Sequence, residues 1–141
     1  MPTAGYSGTP LAKKLGIKTD HRVALLRAPG AFADTLNPLP QGCRLLSAPR
    51  TRCNVIVAFC RSEVELHKTL ARAGKLMYAD SGLWLGWPKK SSGIPTSLNF
   101  GVVQAAGLKL GLVDNKIAAL DDIWSGLRMV VRRENRPQWP D

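Results

Sequence analysis

The stretch Asn54-Val55-Ile56-Val57-Ala58-Phe59-Cys60-Arg61-Ser62-Glu63-Val64-Glu65 decides the fold. Its first six residues are nearly all apolar and β-prone, the signature of a strand buried on both faces, as parallel strands are. Ser62 with Glu65 makes a capping box, and Leu66, Leu70, Ala73 and Met77 then recur at helical spacing. A buried strand followed at once by a capped amphipathic helix is half of a parallel crossover unit.

The pattern repeats on both sides. Upstream, Arg22–Leu26 reads as a strand, Arg27-Ala28-Pro29-Gly30 as a turn, Ala31 to Leu36 as a short helix stopped by Asn37-Pro38, and Arg44–Ser47 as a brief strand. Before them, Thr9 is placed to cap a short helix with Pro10 in its first position and Gly16 ending it; Leu11 and Leu15 face inward, Lys13 and Lys14 face solvent. Downstream, Leu83–Trp87 reads as a strand, the polar loop Pro88 to Thr96 follows, and Thr96 or Ser97 caps a helix with Leu98, Val102, Ala105 and Ala106 on its apolar face. Asn115 to Leu120 and Leu127 to Arg132 close the chain as an antiparallel hairpin.

This order implies a three-layer, mostly parallel Rossmann-like α/β sheet with right-handed crossovers, strand order 2-1-3-4-6-5, ended by one antiparallel hairpin like a trimmed class I methyltransferase. A single domain is expected over 9–133, with residues 1–8 a Gly/Ser/Thr/Pro-rich flexible arm and 134–141 a frayed tail. The sheet order reverses between strands 1 and 3, which directs attention to the loops Arg27–Phe32, Arg61–Ser62 and Pro88–Thr96 at the carboxyl ends.

Among 141 residues, 20 Lys and Arg face 10 Asp and Glu, a formal charge of +10 that favours anionic small molecules, acidic macromolecules or nucleic acid as partners. Cys43, Cys53 and Cys60 are odd in number with no metal-type spacing, so neither a disulfide framework nor a zinc site is expected. No stretch has the length and apolarity of a membrane span or a secretory leader, and a cytoplasmic location is the expectation. The residues leave the oligomeric state undecided.

Four segments carry a resemblance: Thr9-Pro10-Leu11-Ala12-Lys13-Lys14-Leu15-Gly16-Ile17, Trp87-Pro88-Lys89-Lys90, Gly111-Leu112-Val113-Asp114-Asn115-Lys116 and Trp124-Ser125-Gly126-Leu127. Occurring in that order over about 9–133, they resemble a bacterial family of small domains of unknown function. The resemblance implies the Rossmann-like fold and no assigned catalytic residue. Family members usually carry an acidic residue after the threonine matching Thr96, where this chain has Ser97; a role for that acid does not carry over.

Methyl transfer from S-adenosylmethionine calls for a Gly-rich turn after strand 1, an acid for the ribose after strand 2 and a polar or acidic motif after strand 3, for the reasons that govern dinucleotide sites. The chain offers Arg27-Ala28-Pro29-Gly30, Ser47-Ala48-Pro49-Arg50 and Cys60-Arg61-Ser62. None matches, and nicotinamide dinucleotides fail on the same two features, so no cofactor is expected. His21 and His67 have no nucleophile placed beside them. Cys60, next to Arg61, is the only thiol near the presumed cleft, and a cation there lowers a thiol pKa; a small buried residue is the plainer reading.

The loop Lys89 to Ser97 joins two ammonium groups and several hydroxyls ahead of a helix N-terminus, which suits an anion. The expected site is therefore Lys89, Lys90, Ser91, Ser92, Thr96 and Gly30, with Lys13, Lys14, Trp87 and Cys60 accessory, and Arg27 and Arg50 adding charge if they converge. Trp87 and Trp124 are candidate stacking platforms, and Arg128, Arg132, Arg133 and Arg136 a candidate basic stripe. The reading drawn from these residues is non-catalytic binding of an anionic ligand. A divergent S-adenosylmethionine-dependent transferase and nucleic-acid binding through general charge are the alternatives.

Overall fold

The computed structural model describes residues 8–140; the expected N-terminal arm, apart from Gly8, lies outside the described residues. In chain order the elements are α1 (Leu11–Lys14), β1 (Arg22–Leu26), α2 (Phe32–Thr35), β2 (Arg44–Leu46), β3 (Cys53–Phe59), α3 (Glu63–Leu76), β4 (Met77–Pro88), α4 (Phe100–Lys109), β5 (Leu112–Ala119) and β6 (Trp124–Val131). The six strands form one sheet in the order β2-β1-β3-β4-β6-β5, the expected order. β2, β1, β3 and β4 are parallel, whereas β6 runs antiparallel to both β4 and β5.

β3 lies centrally because its side chains suit both sides. Ile56, Ala58 and Cys60 enter the core beneath α3 and α4, while Val55, Val57 and Phe59 enter the core beneath α1 and α2. Ser62 caps α3 as expected, its hydroxyl accepting from the Glu65 N–H at 3.2 Å. The Glu65 carboxylate completes the box one residue early, accepting from the Arg61 N–H at 2.8 Å.

The fourth strand is much longer than Leu83–Trp87. α3 passes into β4 without a loop, and Cys53 and Val55 of β3 face Met77 and Gly82, so Tyr78 to Ser81 bulge out of the ladder. Ser81 replaces the missing ladder bonds: its buried hydroxyl donates to the Cys53 carbonyl at 2.6 Å and accepts from the Tyr78 N–H at 2.8 Å.

Several ends also differ from expectation. Pro10, not Thr9, is the N-cap of α1, with no side-chain cap; Gly16 does close the turn, at φ +83°. Lys14 is half-buried instead of solvent-facing. α4 is capped by Asn99, whose carbonyl oxygen accepts from the Val102 N–H at 2.9 Å, and its buried positions are Val103 and Gly107, with Ala105 exposed. The segment expected to fray folds as a 3₁₀ helix, Arg133–Gln138. Trp139 anchors it by packing on the α3/α4 core and donating from its indole to the Met77 carbonyl at 3.0 Å.

On the opposite face, Trp84 is fully buried and its indole donates to the Leu15 carbonyl at 3.1 Å, tying α1 to the sheet. β2 is a three-residue edge, and β5 forms the other edge, with a bulge between Asp114 and Lys116.

Candidate functional site

The chain leaves β1 at Leu26, and the next residue, Arg27, sits in the left-handed region at φ +56°. That turn aims its side chain across the carboxyl end of β3 towards α3. The guanidinium donates to the Phe59 carbonyl at 3.0 Å, the Glu65 carbonyl at 3.4 Å and the Thr69 hydroxyl, and approaches the Cys60 sulfur at 3.7 Å. The Glu65 carboxylate lies 4.0 Å away and also 3.9 Å from the Arg61 guanidinium. Arg27 therefore fastens β1 to β3 and α3, across the crevice where an open sheet of this order takes ligands. Its local sequence, Leu-Leu-Arg-Ala-Pro, does not tell an inward guanidinium from an outward one; three receptive oxygens on β3 and α3 decide it.

Beside this plug, Thr96 joins two carboxyl-edge loops, its hydroxyl donating to the Arg61 carbonyl at 2.8 Å and accepting from the Leu98 N–H at 3.1 Å. The Ser92 hydroxyl donates to the Lys89 carbonyl at 2.6 Å within a 3₁₀ turn, Lys90–Ser92, ended by Gly93 at φ +77°. The Ser92 and Thr96 hydroxyl protons are thus spent inside the protein. Because α4 starts at Phe100, residues 93–99 separate the Lys89–Ser92 turn from that helix, and the turn does not stand at its N-terminus. Lys89, Lys90 and Ser91 make no side-chain hydrogen bond or ion pair among the described residues, and Lys90 and Ser91 are exposed. Gly30 is exposed on the loop before α2, with open space where a Cβ would stand.

The accessory residues separate from this group. Lys13 and Lys14 lie on the sheet face beside Asn115, Lys116 and Arg128. Arg128 pairs with Trp84, four residues short of the end of β4, which puts that cluster about 13 Å from the carboxyl edge at the usual rise per residue. Trp87 and Trp124 are both buried; Trp124 packs edge-on against Phe59 and carries Arg61 over its ring at 5.1 Å, so neither indole is a free stacking platform. Cys60 is buried, and burial pushes its thiol above the ordinary value, outweighing the lowering by Thr69 and Arg27; it is the small buried residue of the plainer reading and not an activated thiol. His21 is pushed down by burial and then by Lys18, against Asp80, and its Nδ1 accepts from the Lys18 N–H at 3.0 Å. His67 is exposed in a groove between α3 and α4. Among the described residues there is no group of three or more His, Cys, Asp or Glu side chains able to hold a metal, and no helix long and apolar enough to cross a membrane.

No family model matches the chain, and no curated protein matches it by sequence. Solved structures do share its fold. A ribosomal protein L11 methylase from Lactobacillus delbrueckii subsp. bulgaricus superposes with a TM-score of 0.62 at 11% identity, over 87% of this chain and 75% of that one. Fibrillarin from Aeropyrum pernix, solved with natively bound S-adenosyl-L-methionine, gives 0.60 at 12% identity over 85% and 73%. A protein-(glutamine-N5) methyltransferase from Alicyclobacillus acidocaldarius gives 0.53 at 10% identity over 87% and 91%. The fold is therefore that of class I methyltransferases.

Proposed function

We propose that this chain is a divergent methyltransferase-like enzyme whose ligand binds at the carboxyl edge of the sheet, over the ends of β1, β3 and β4. The observation that supports this is the sheet order β2-β1-β3-β4-β6-β5, shared in fold with methyltransferases of which one is solved with S-adenosylmethionine. The residues at the edge do not form the usual cradle for that cofactor. Arg27 fills the turn that glycines would keep open, and Ser47-Ala48-Pro49-Arg50 brings no acid after β2. No step of transfer is assigned to any side chain. Titration calorimetry with S-adenosylmethionine and its demethylated product tests the reading. We expect weak binding by the native chain, tightened about tenfold when Arg27→Gly removes the guanidinium and suits the left-handed turn. Absence of binding by both proteins would remove the transferase reading.

A second reading, binding of an anion without catalysis, is favoured by the unpartnered Lys89, Lys90 and Ser91 side chains in the loop that leaves the carboxyl end of β4. Replacing Lys89 and Lys90 together by alanine is then expected to weaken binding of a short oligonucleotide several-fold and to flatten its salt dependence, with the melting temperature unchanged. An unaltered affinity rejects this reading.

A further inference from the structure

The face of the sheet beneath α1 carries a cationic recess far from the carboxyl edge. Two hollows meet there at Gly16 and Arg128, one of about 270 Å³ beside Lys18, His21, Asn54 and Asp80, the other of about 260 Å³ beside Lys13, Lys14, Asn115 and Lys116. Asp80 is the one carboxylate among these residues, against four lysines and an arginine.

Arg128 is the centre of this arrangement. It stands opposite Trp84 of β4 and Lys116 of β5 in the ladder, so all three side chains leave the same face of the sheet. Its guanidinium lies over Gly82, where a Cβ would come within 2.7 Å of Nε and 2.8 Å of Nη2. Glycine at 82 thus leaves the space that the guanidinium occupies. There it is half-buried, and among the described residues it has no hydrogen bond or ion pair. Burial lowers its pKa. Lys116 is held nearby, its Nζ donating to the Lys14 carbonyl at 3.0 Å. A desolvated guanidinium without a partner is costly to keep, and a planar fork flanked by ammonium groups matches a phosphoryl group.

We propose that Arg128, Lys116, Lys13 and Lys18 form a binding site for a multivalent phosphate-type anion, on the sheet face between α1 and the β5–β6 hairpin. The site is separate from the carboxyl edge and does not depend on the transferase reading. The alternative is that the Arg128 guanidinium merely packs over Gly82 and holds no ligand.

The test is calorimetric titration of the full chain with inorganic pyrophosphate at low salt, on the native protein and three variants. The native chain is expected to bind one equivalent. Arg128→Met, which keeps the stem, should weaken binding about tenfold or more while the melting temperature is held or raised, and Arg128→Lys should retain part of the affinity. Lys68→Ala, which removes an exposed charge on α3 across the sheet, should bind as the native chain does, separating this site from general surface charge. No binding by the native chain, or equal binding by Arg128→Met, overturns the proposal, as does binding that falls as much in Lys68→Ala as in Arg128→Met.

Discussion

Arg27→Ala is expected to destabilise the protein by about 3 kcal/mol, because hydrogen bonds from a charged donor are worth about 1.5–3 kcal/mol each and water replaces part of them at this half-exposed position. Three acceptors lose the guanidinium together: the Phe59 carbonyl, the Glu65 carbonyl and the Thr69 hydroxyl. Arg27→Gly should cost about 1 kcal/mol less than alanine, since φ +56° strains any residue with a Cβ. Urea unfolding of the two variants beside the native chain measures both differences. Alanine within about 1 kcal/mol of the native protein would mean that the guanidinium does not fasten β1 to β3 and α3. The same pair serves the binding experiment, in which the loss of stability and any gain of cofactor affinity are read separately.

A larger loss is expected at Trp84. The residue is fully buried, and truncating a buried tryptophan to alanine costs about 3–5 kcal/mol. Trp84→Phe keeps most of the buried area but leaves the Leu15 carbonyl without its donor, at a cost of about 1–3 kcal/mol. The two variants should also differ from a generic core defect in where they loosen the chain. Native-state hydrogen exchange ought to rise first at α1 and the Gly16 turn, which the indole ties to the sheet, before it rises in β3. Uniform loss of protection would show that α1 is held by packing of Leu15 and Ile17 and not by the Trp84 bond.

How far the sequence led depended on whether a feature was set locally. The run Val55–Phe59 and the Ser62–Glu65 box declare strand and helix within twelve residues, and the order of such units was enough for the whole sheet, hairpin included. The start of β4 was hidden because Tyr78-Ala79-Asp80-Ser81 has the composition of a turn and is in fact a bulge stitched by Ser81. The cap of α4 was misplaced because Thr96, Ser97 and Asn99 are all competent caps within four residues, and the bond from Thr96 to the Arg61 carbonyl removes the first of them from the choice. The candidate site suffered more, since it depends on where side chains from distant segments converge. Lys13 and Lys14 follow α1 to the sheet face, and Trp87 and Cys60 turn into the core. The sequence offers Arg27 only as a charge that adds to the carboxyl-edge site if it converges there, and the folded chain brings Phe59, Glu65 and Thr69 within its reach.

The two borders of the sheet bear on how the folded protein behaves when crowded. β2 offers three residues of unpaired backbone, too few to template an intruding strand, and the kink at Asn115 breaks the outer rim of β5 into short pieces, one of them carrying Lys116. Filament growth by strand addition therefore has no flat, continuous margin to start from in the native state. The hazard moves to partly unfolded chains, in which the apolar run Val55–Phe59 of β3 is uncovered.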